Sequence, residues 1–256
     1  VNDTLRLAHA IETFHNFTLV HDDIMDEAES RRGKQTIHIR NGLPTAILAG
    51  DNMLILAFQM FEGCRPDVLS VFLKTAQEVS NGQQMDMNFE KSSDVTMLDY
   101  LEMIRLKTAV LLGCSCYLGA ANAGADSETS HKMYAFAEQM GMAFQMQDDW
   151  LDTFGSKAET GKTEGGDIIS KKKMWLYLKA REKENTIDDI YTLEDPTIRV
   201  KEAREYFKQL GLDKELLAEQ DKYYQKSLEI LTSLNLEDDK MLPFLEIASF
   251  LKNRRH

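Results

Sequence analysis

Apolar residues three and four apart run through almost the whole chain, and only four prolines interrupt it in 256 residues. Such spacing lines side chains along one stripe of a helix, and no run of alternating β-branched residues competes for a strand. The expected class is therefore all-α. The pattern predicts helices over 5–25, 45–61, 67–89, 98–106, 107–123, 130–152, 172–183, 196–210, 214–233 and 241–253. Loops are expected over 31–44, which ends near Gly42 and Pro44, and over the glycine-bearing 154–166. Ser92 to Asp94 offers an N-cap for the helix at 98. The 43% hydrophobic content suffices for a sizeable core, 256 residues could form one large domain or two small ones, and no linker or low-complexity tract divides the chain.

Two of these helices carry one acidic pattern. The first reads His21-Asp22-Asp23-Ile24-Met25-Asp26, with Arg31-Arg32-Gly33 soon after it; the second reads Phe144-Gln145-Met146-Gln147-Asp148-Asp149-Trp150-Leu151-Asp152. Residues four apart share a helix face, so Asp22 with Asp26, and Asp148 with Asp152, each turn two carboxylates to one side. Carboxylates crowded in this way repel unless a cation lies between them. Embedded among Leu, Val, Phe, Met and Trp, they would also be costly to desolvate alone. Hard cations such as Mg²⁺ take oxygen ligands and keep waters and substrate phosphates in the shell. Two acidic walls around a metal-filled gap are the expectation.

Charge and cysteine usage narrow the partners. A net charge of −12 argues against nucleic acid, which needs concentrated Lys and Arg. Yet Arg31, Arg32, Lys162 and Lys171 to Lys173 follow close behind the two motifs, which suits an anion bridged by cations. Cys64, Cys114 and Cys116 are odd in number and poorly spaced for a disulfide, and the first residues show no secretory signal, so a reducing cytoplasm is expected. The uncharged run 109–125 contains Ser115 and Asn122 and is rich in Gly and Ala. It is read as a buried helix rather than a membrane span, its small residues allowing another helix close, in the core or across a dimer interface.

With both motifs, Arg31-Arg32-Gly33, Gly82-Gln83 with Asp86, Lys107-Thr108, Phe144-Gln145, and Gly161-Lys162 before Gly165-Gly166-Asp167, the chain resembles the trans-isoprenyl diphosphate synthases of short-chain, farnesyl and geranylgeranyl, type. The resemblance implies one domain over 1–256, a single large helical bundle around a deep central cavity. It implies head-to-tail condensation of isopentenyl diphosphate onto an allylic diphosphate, with Mg²⁺, or Mn²⁺ in its place, and a homodimer. Asp22, Asp23 and Asp26 on one side and Asp148, Asp149 and Asp152 on the other would be the metal carboxylates. Arg31, Lys107, Lys162 and Lys172 would contact the allylic diphosphate, Arg32 and His15 the isopentenyl diphosphate, and Phe144 and Gln145 would border both substrates. The Lys107 carbonyl, Thr108 hydroxyl and Gln83 amide would face the developing cation, with Asp86 supporting the lysines.

In this family product length is set by side chains upstream of the first aspartate. Phe17 lies about 7.5 Å and Phe14 about 12 Å before Asp22 along a helix, with Thr18 beside them. The tail is expected to pass Thr18 and stop near Phe14, or at a facing helix around 53–57, giving twenty carbons, with fifteen the close alternative. The resemblance also implies a Gly-Lys-x-x-Arg stretch on an earlier helix, which the sequence does not contain, so a segment ahead of residue 1 is expected to carry it. Two other readings share the first motif. A class I terpene cyclase normally mixes Asn, Ser or Thr and Glu in its second wall, and a non-catalytic modulatory subunit can lose a motif; Asp148 to Asp152 argues against both.

Overall fold

Helix follows helix through the residues described by the computed structural model, 2–155 and 165–252. In chain order these are α1 (Asn2–Met25), a two-residue hairpin of β1 (Ser30–Arg31) and β2 (Lys34–Gln35), α2 (Ile37–Asn41), α3 (Leu43–Gln59) and α4 (Pro66–Lys91). Then come α5 (Met97–Ile104), a π-helical turn (Arg105–Ala109), α6 (Val110–Asn122) and α7 (Ser127–Phe154). The remainder is α8 (Gly166–Ile169), α9 (Trp175–Lys183), α10 (Thr186–Thr192), α11 (Pro196–Gln209), α12 (Leu212–Thr232) and α13 (Asp238–Lys252).

The all-α expectation holds, with local differences that have physical causes. The hairpin, α2, α8 and α10 fall where loops were expected or nothing was, because elements this short carry no measurable periodicity. The cap of α5 is Thr96 rather than Ser92 to Asp94: Asp99 N–H donates to Thr96 Oγ1 at 3.2 Å and Thr96 N–H donates to Asp99 Oδ2 at 3.0 Å. This reciprocal capping box satisfies two N-terminal donors at once. Asp195 caps α11 in a similar way, accepting from Thr197 N–H at 2.8 Å with Pro196 at the first helical position.

The contacts divide the chain into two compact units. The first holds Val1–Gln77 and Cys114–His131. Within it α1 packs along α3, and Ala10, Phe14, Ala46, Ala57, Phe61 and Phe72 are buried almost completely. The second holds Glu78–Gly113 and Lys132–His256. Its core gathers Tyr100, Ile104, Met146, Trp175, Phe207 and Leu216 around α9, whose Trp175, Leu176, Tyr177 and Leu178 are all buried. An opening turn apolar on every side belongs inside the packing, and the charged Lys179, Arg181, Glu182 and Lys183 follow only after it. Buried Arg199 donates to the carbonyls of Leu193 and Ile169, so α11 clamps the end of α8. Among the described residues one helical stretch, Met97–Asn122, is long and apolar enough to cross a membrane by length and composition. Half of its most apolar window is buried inside the protein, and Lys107 in its middle is ion-paired to Asp86.

Candidate active site

In the first unit the acidic motif ends α1. Asp22 and the buried Asp23 lie in the last turn, and Asp26 stays on the Asp22 face because its N–H still bonds Asp22 O at 2.8 Å. Glu27 then turns left-handed at φ 50°, and Ala28 N–H reaches back to Asp23 O at 2.9 Å, closing a Schellman cap without glycine. Four acidic side chains thus gather at the negative pole of a helix whose last turn has no basic residue. The hairpin brings a counter-charge. Arg31 Nε donates to Asp23 Oδ1 at 2.6 Å, and its Nη2 donates to Asp22 Oδ2 at 3.1 Å. The hairpin turn is Arg32-Gly33, both at positive φ, as a tight two-residue turn requires, and this leaves Arg32 exposed at the tip.

Further back on α1, His15 Nδ1 lies 3.5 Å from Glu12 Oε2, and Thr18 Oγ1 donates to the His15 carbonyl at 2.8 Å. The rings form one connected stack. Phe17 meets His21 at 4.8 Å and Phe14 at 5.6 Å between centroids, Phe14 meets Phe72 of α4 at 5.3 Å, and Phe72 meets Phe61 at 4.1 Å. His21 was read only as the residue that opens the motif, with no contact assigned to it. Its Nε2–H donates to the Ile47 carbonyl at 3.2 Å, and the ring fills a notch left by Gly50, where a Cβ would come within 2.2 Å of Nε2. The residue just before the motif therefore pins α1 to α3.

In the second unit the π-helical turn places Lys107 and Thr108. A π-turn needs room, and glycines supply it on two sides: a Cβ on Gly82 would lie 2.4 Å from Lys107 N, and one on Gly141 would lie 2.6 Å from Ala109 Cα. The close approach of α4 brings Asp86 to Lys107, whose Nζ donates to Asp86 Oδ2 at 2.6 Å, with Lys172 Nζ 3.8 Å from the same oxygen. Burial pushes the Asp86 carboxyl up, but the charges of Lys107 and Lys172 hold it below the usual carboxylate range. Gln83 Nε2, nearby on α4, is buried without a hydrogen-bond partner among the described residues.

The second motif rides on α7. Asp149 is 3% exposed; Tyr100 O–H donates to its Oδ2 at 2.5 Å and Gln145 Nε2 donates to its Oδ1 at 3.0 Å. Thr108 Oγ1 donates to Gln145 Oε1 at 3.1 Å, and Phe144 is half-buried beside them in sequence. Asp152 Oδ2 accepts the N–H of Asp167 at 3.0 Å, joining α7 to α8. Burial pushes Asp149 up to about 7 despite its two donors, with Asp148 and Asp152 adding repulsion. Burial also raises Asp167 well above the carboxylate range, followed by the charges of Asp152, Asp149 and Asp148. Tyr100 and Asp167 belong to this cluster although neither was marked as a site residue; Lys162 lies outside the described residues.

This donor set fits a hard divalent cation. It consists of carboxylates that raise one another's proton affinity, which is the condition a cation relieves. Among the described residues no three acidic, His or Cys side chains converge closely enough to hold an ion alone. Mg²⁺ commonly works that way, bound by one or two carboxylates while waters and phosphates complete its shell.

The polyprenyl synthetase family model matches residues 1–209. The chain is 44% identical over 184 residues to a geranylgeranyl pyrophosphate synthase of Geoglobus acetivorans, covering 70% of this chain and 57% of that protein. It is 38% identical over 201 residues to a geranylfarnesyl diphosphate synthase of Natronomonas pharaonis, covering 76% of this chain and 59% of that one. These two matches thus span little more than half the length of those two relatives. Among solved structures, a geranylgeranyl pyrophosphate synthase superposes with a TM-score of 0.93 at 38% identity, covering 100% of this chain and 82% of the other.

Proposed function

Since the chain belongs to the polyprenyl synthetase family, we propose that residues 1–256 act as a Mg²⁺-dependent trans-prenyltransferase domain that joins isopentenyl diphosphate head to tail to an allylic diphosphate. The observation that carries this reading is the charge cluster of the second unit. Asp149 and Asp167 are pushed toward their neutral forms by burial and neighbouring carboxylates, while Lys107 and Lys172 stand by as ammonium groups. Such a cluster is short of the positive charge that a cation brings and supplies the lysines that a diphosphate takes.

In this reading Asp22, Asp23 and Asp26, and Asp148, Asp149 and Asp152, are the metal carboxylates. When bound, Mg²⁺ neutralises the charge that develops on the departing diphosphate. Arg31, Lys107 and Lys172 bind the allylic diphosphate together with Lys162; Arg32 and His15 bind the isopentenyl diphosphate, which Phe144 and Gln145 border. Breaking the allylic carbon–oxygen bond leaves a cation, toward which the Lys107 carbonyl, the Thr108 hydroxyl and the Gln83 amide turn their dipoles. None of the three is a strong base, so the released diphosphate takes the final proton. Asp86 keeps both lysines in place.

The product is a twenty-carbon chain, with fifteen carbons the close alternative, limited by Phe14, Phe17 and Thr18. The active form is a homodimer built on α3, whose Leu43, Ile47, Leu48, Ile55 and Leu56 are 41–61% exposed. The small-residue helix α6 offers less, since Cys114, Tyr117, Leu118 and Ala121 are buried. The three cysteines are free, in keeping with a reducing cytoplasm.

The test is incubation with Mg²⁺, isopentenyl diphosphate and geranyl or farnesyl diphosphate. All-trans prenyl diphosphate is expected, with turnover falling by orders of magnitude in Asp22→Ala and Asp148→Ala while the helical signal persists. Hydrocarbon released from geranylgeranyl diphosphate alone would replace this reading with a terpene cyclase.

A further inference from the structure

Lys171, Lys172 and Lys173 stand in a row between α8 and α9 and read as one basic cluster, yet the fold gives them three different places. Lys171 takes a left-handed turn at φ 55° and is exposed. Lys172 brings its Nζ to 3.8 Å from Asp86 Oδ2, an oxygen that Lys107 already holds at 2.6 Å. Lys173 reaches one turn further along α4, where its Nζ donates to the Phe89 carbonyl at 2.6 Å and, at 3.4 Å, to the Glu90 carbonyl. Those carbonyls belong to the last turn of α4, where the helix has run out of N–H donors and a cation is favoured. Just beyond them Arg181 of α9 donates to the Ser93 carbonyl.

Two ammonium groups at one carboxylate oxygen repel each other, and 3.8 Å is longer than a hydrogen bond, so Asp86 by itself is a weak hold on Lys172. The main chain of Lys172 is fixed on the α8 side, where its N–H donates to the Asp167 carbonyl at 2.8 Å. Lys173 supplies the tie on the α4 side. Asp86 and Phe89 lie one turn apart, about 4.5 Å along the helix axis, so a loop hung from the Phe89 carbonyl brings the adjoining lysine up to Asp86. We propose that Lys173 is a positioning residue: its ammonium caps α4, takes no part in holding the anion, and keeps the Lys172 ammonium beside Asp86 against the repulsion of Lys107. The inference rests on the prenyl-transfer reading for the diphosphate that Lys172 takes, but not for the cap itself.

One measurement uses an anion and one does not. Inorganic diphosphate with Mg²⁺ is titrated calorimetrically into the wild type, Lys171→Ala, Lys172→Ala, Lys173→Met, Lys173→Arg, and Lys172→Ala combined with Lys173→Met. Lys173→Met should weaken binding roughly five- to fifty-fold, and Lys173→Arg, which can still donate to the carbonyls, should restore most of it. The double variant should bind no worse than Lys172→Ala, since residues acting through one another are not additive. Lys171→Ala should bind like the wild type. Separately, urea unfolding without ligand gives the coupling between Lys172 and Asp86 from a cycle of Lys172→Ala and Asp86→Asn. That coupling should be present with Lys173 intact and largely lost in Lys173→Met. Equal weakening by all three lysine truncations would make them one charge cluster, and an additive loss in the double variant would put Lys173 on the anion; either overturns the proposal. So does a Lys173→Met chain that loses stability while its diphosphate binding stays intact. A wild type that binds no diphosphate would remove the prenyl-transfer reading and leave the coupling to decide: its loss in Lys173→Met keeps the cap as the positioning device, and its persistence overturns it.

Discussion

Phe14 and Phe72 are 1% and 0% exposed and meet edge to face, while Phe17 is half-buried one turn nearer the first aspartate. The two levels should respond differently to truncation. Phe17→Ala should lengthen the product at little cost in stability. Phe14→Ala should lengthen it further but lose about 3–5 kcal/mol, and Thr18→Phe should shorten it; chromatography of the products and a thermal melt check all three. Asp86 allows a pH prediction. Its carboxyl is held low in the folded chain by Lys107 and Lys172, so its contribution is complete above the unfolded value of about 4 and is lost as pH falls through the folded value. Asp86→Asn should therefore cost roughly 1.5–3 kcal/mol at neutral pH, and its melting temperature should fall less than that of the wild type on acidification. At this scale the six motif aspartates stood out by their spacing, while Arg31, Lys107 and Gln145 came with the family resemblance. The contacts of His21, Tyr100 and Asp167 came from neither. Their partners stand 26, 49 and 15 residues away, and only folding creates those pairs.

Among the elements, the π-helical turn is where sequence reading went astray in an instructive way. The spacing predicted a boundary between 106 and 107, whereas Met97–Asn122 is continuous. One extra residue in the turn shifts the apolar stripe, so the pattern before it and the pattern after it do not line up. A periodicity scan registers that as an end. The glycines that accept the turn are likewise unremarkable as letters, because nothing local marks Gly82 and Gly141 as the points where backbones touch. Their role yields a paired prediction. Gly82→Ala and Gly141→Ala should each lose about 1–3 kcal/mol from overpacking and displace Lys107 and Thr108. Gly119→Ala, at a helical position with nothing within 4 Å, should be neutral or gain up to about 1 kcal/mol. Urea unfolding of the three variants decides it, and equal effects would remove the glycines from the account.

For the molecule as a whole, the all-α class was open to inspection because amphipathic spacing is written into every long helix. The surface at which a partner copy would sit was not, because an exposed leucine and a buried one are the same letter. Only the structure shows that α3 turns Leu48 and Ile55, seven residues apart, outward at 61% and 55% exposure. Leu48→Glu with Ile55→Glu should yield a monomer by light scattering at micromolar concentration, against a wild-type dimer. The pairing of Arg31 with Asp22 and Asp23 bears on the chain's dealings with its solution. The acidic end of α1 already holds a cation of its own, so under the proposed function Mg²⁺ would bind there by exchange and not at a bare site. Its apparent affinity would then be a difference between two cations. Mg²⁺ alone should raise the melting temperature only slightly, and diphosphate, by giving the guanidinium somewhere else to go, should make that exchange run forward.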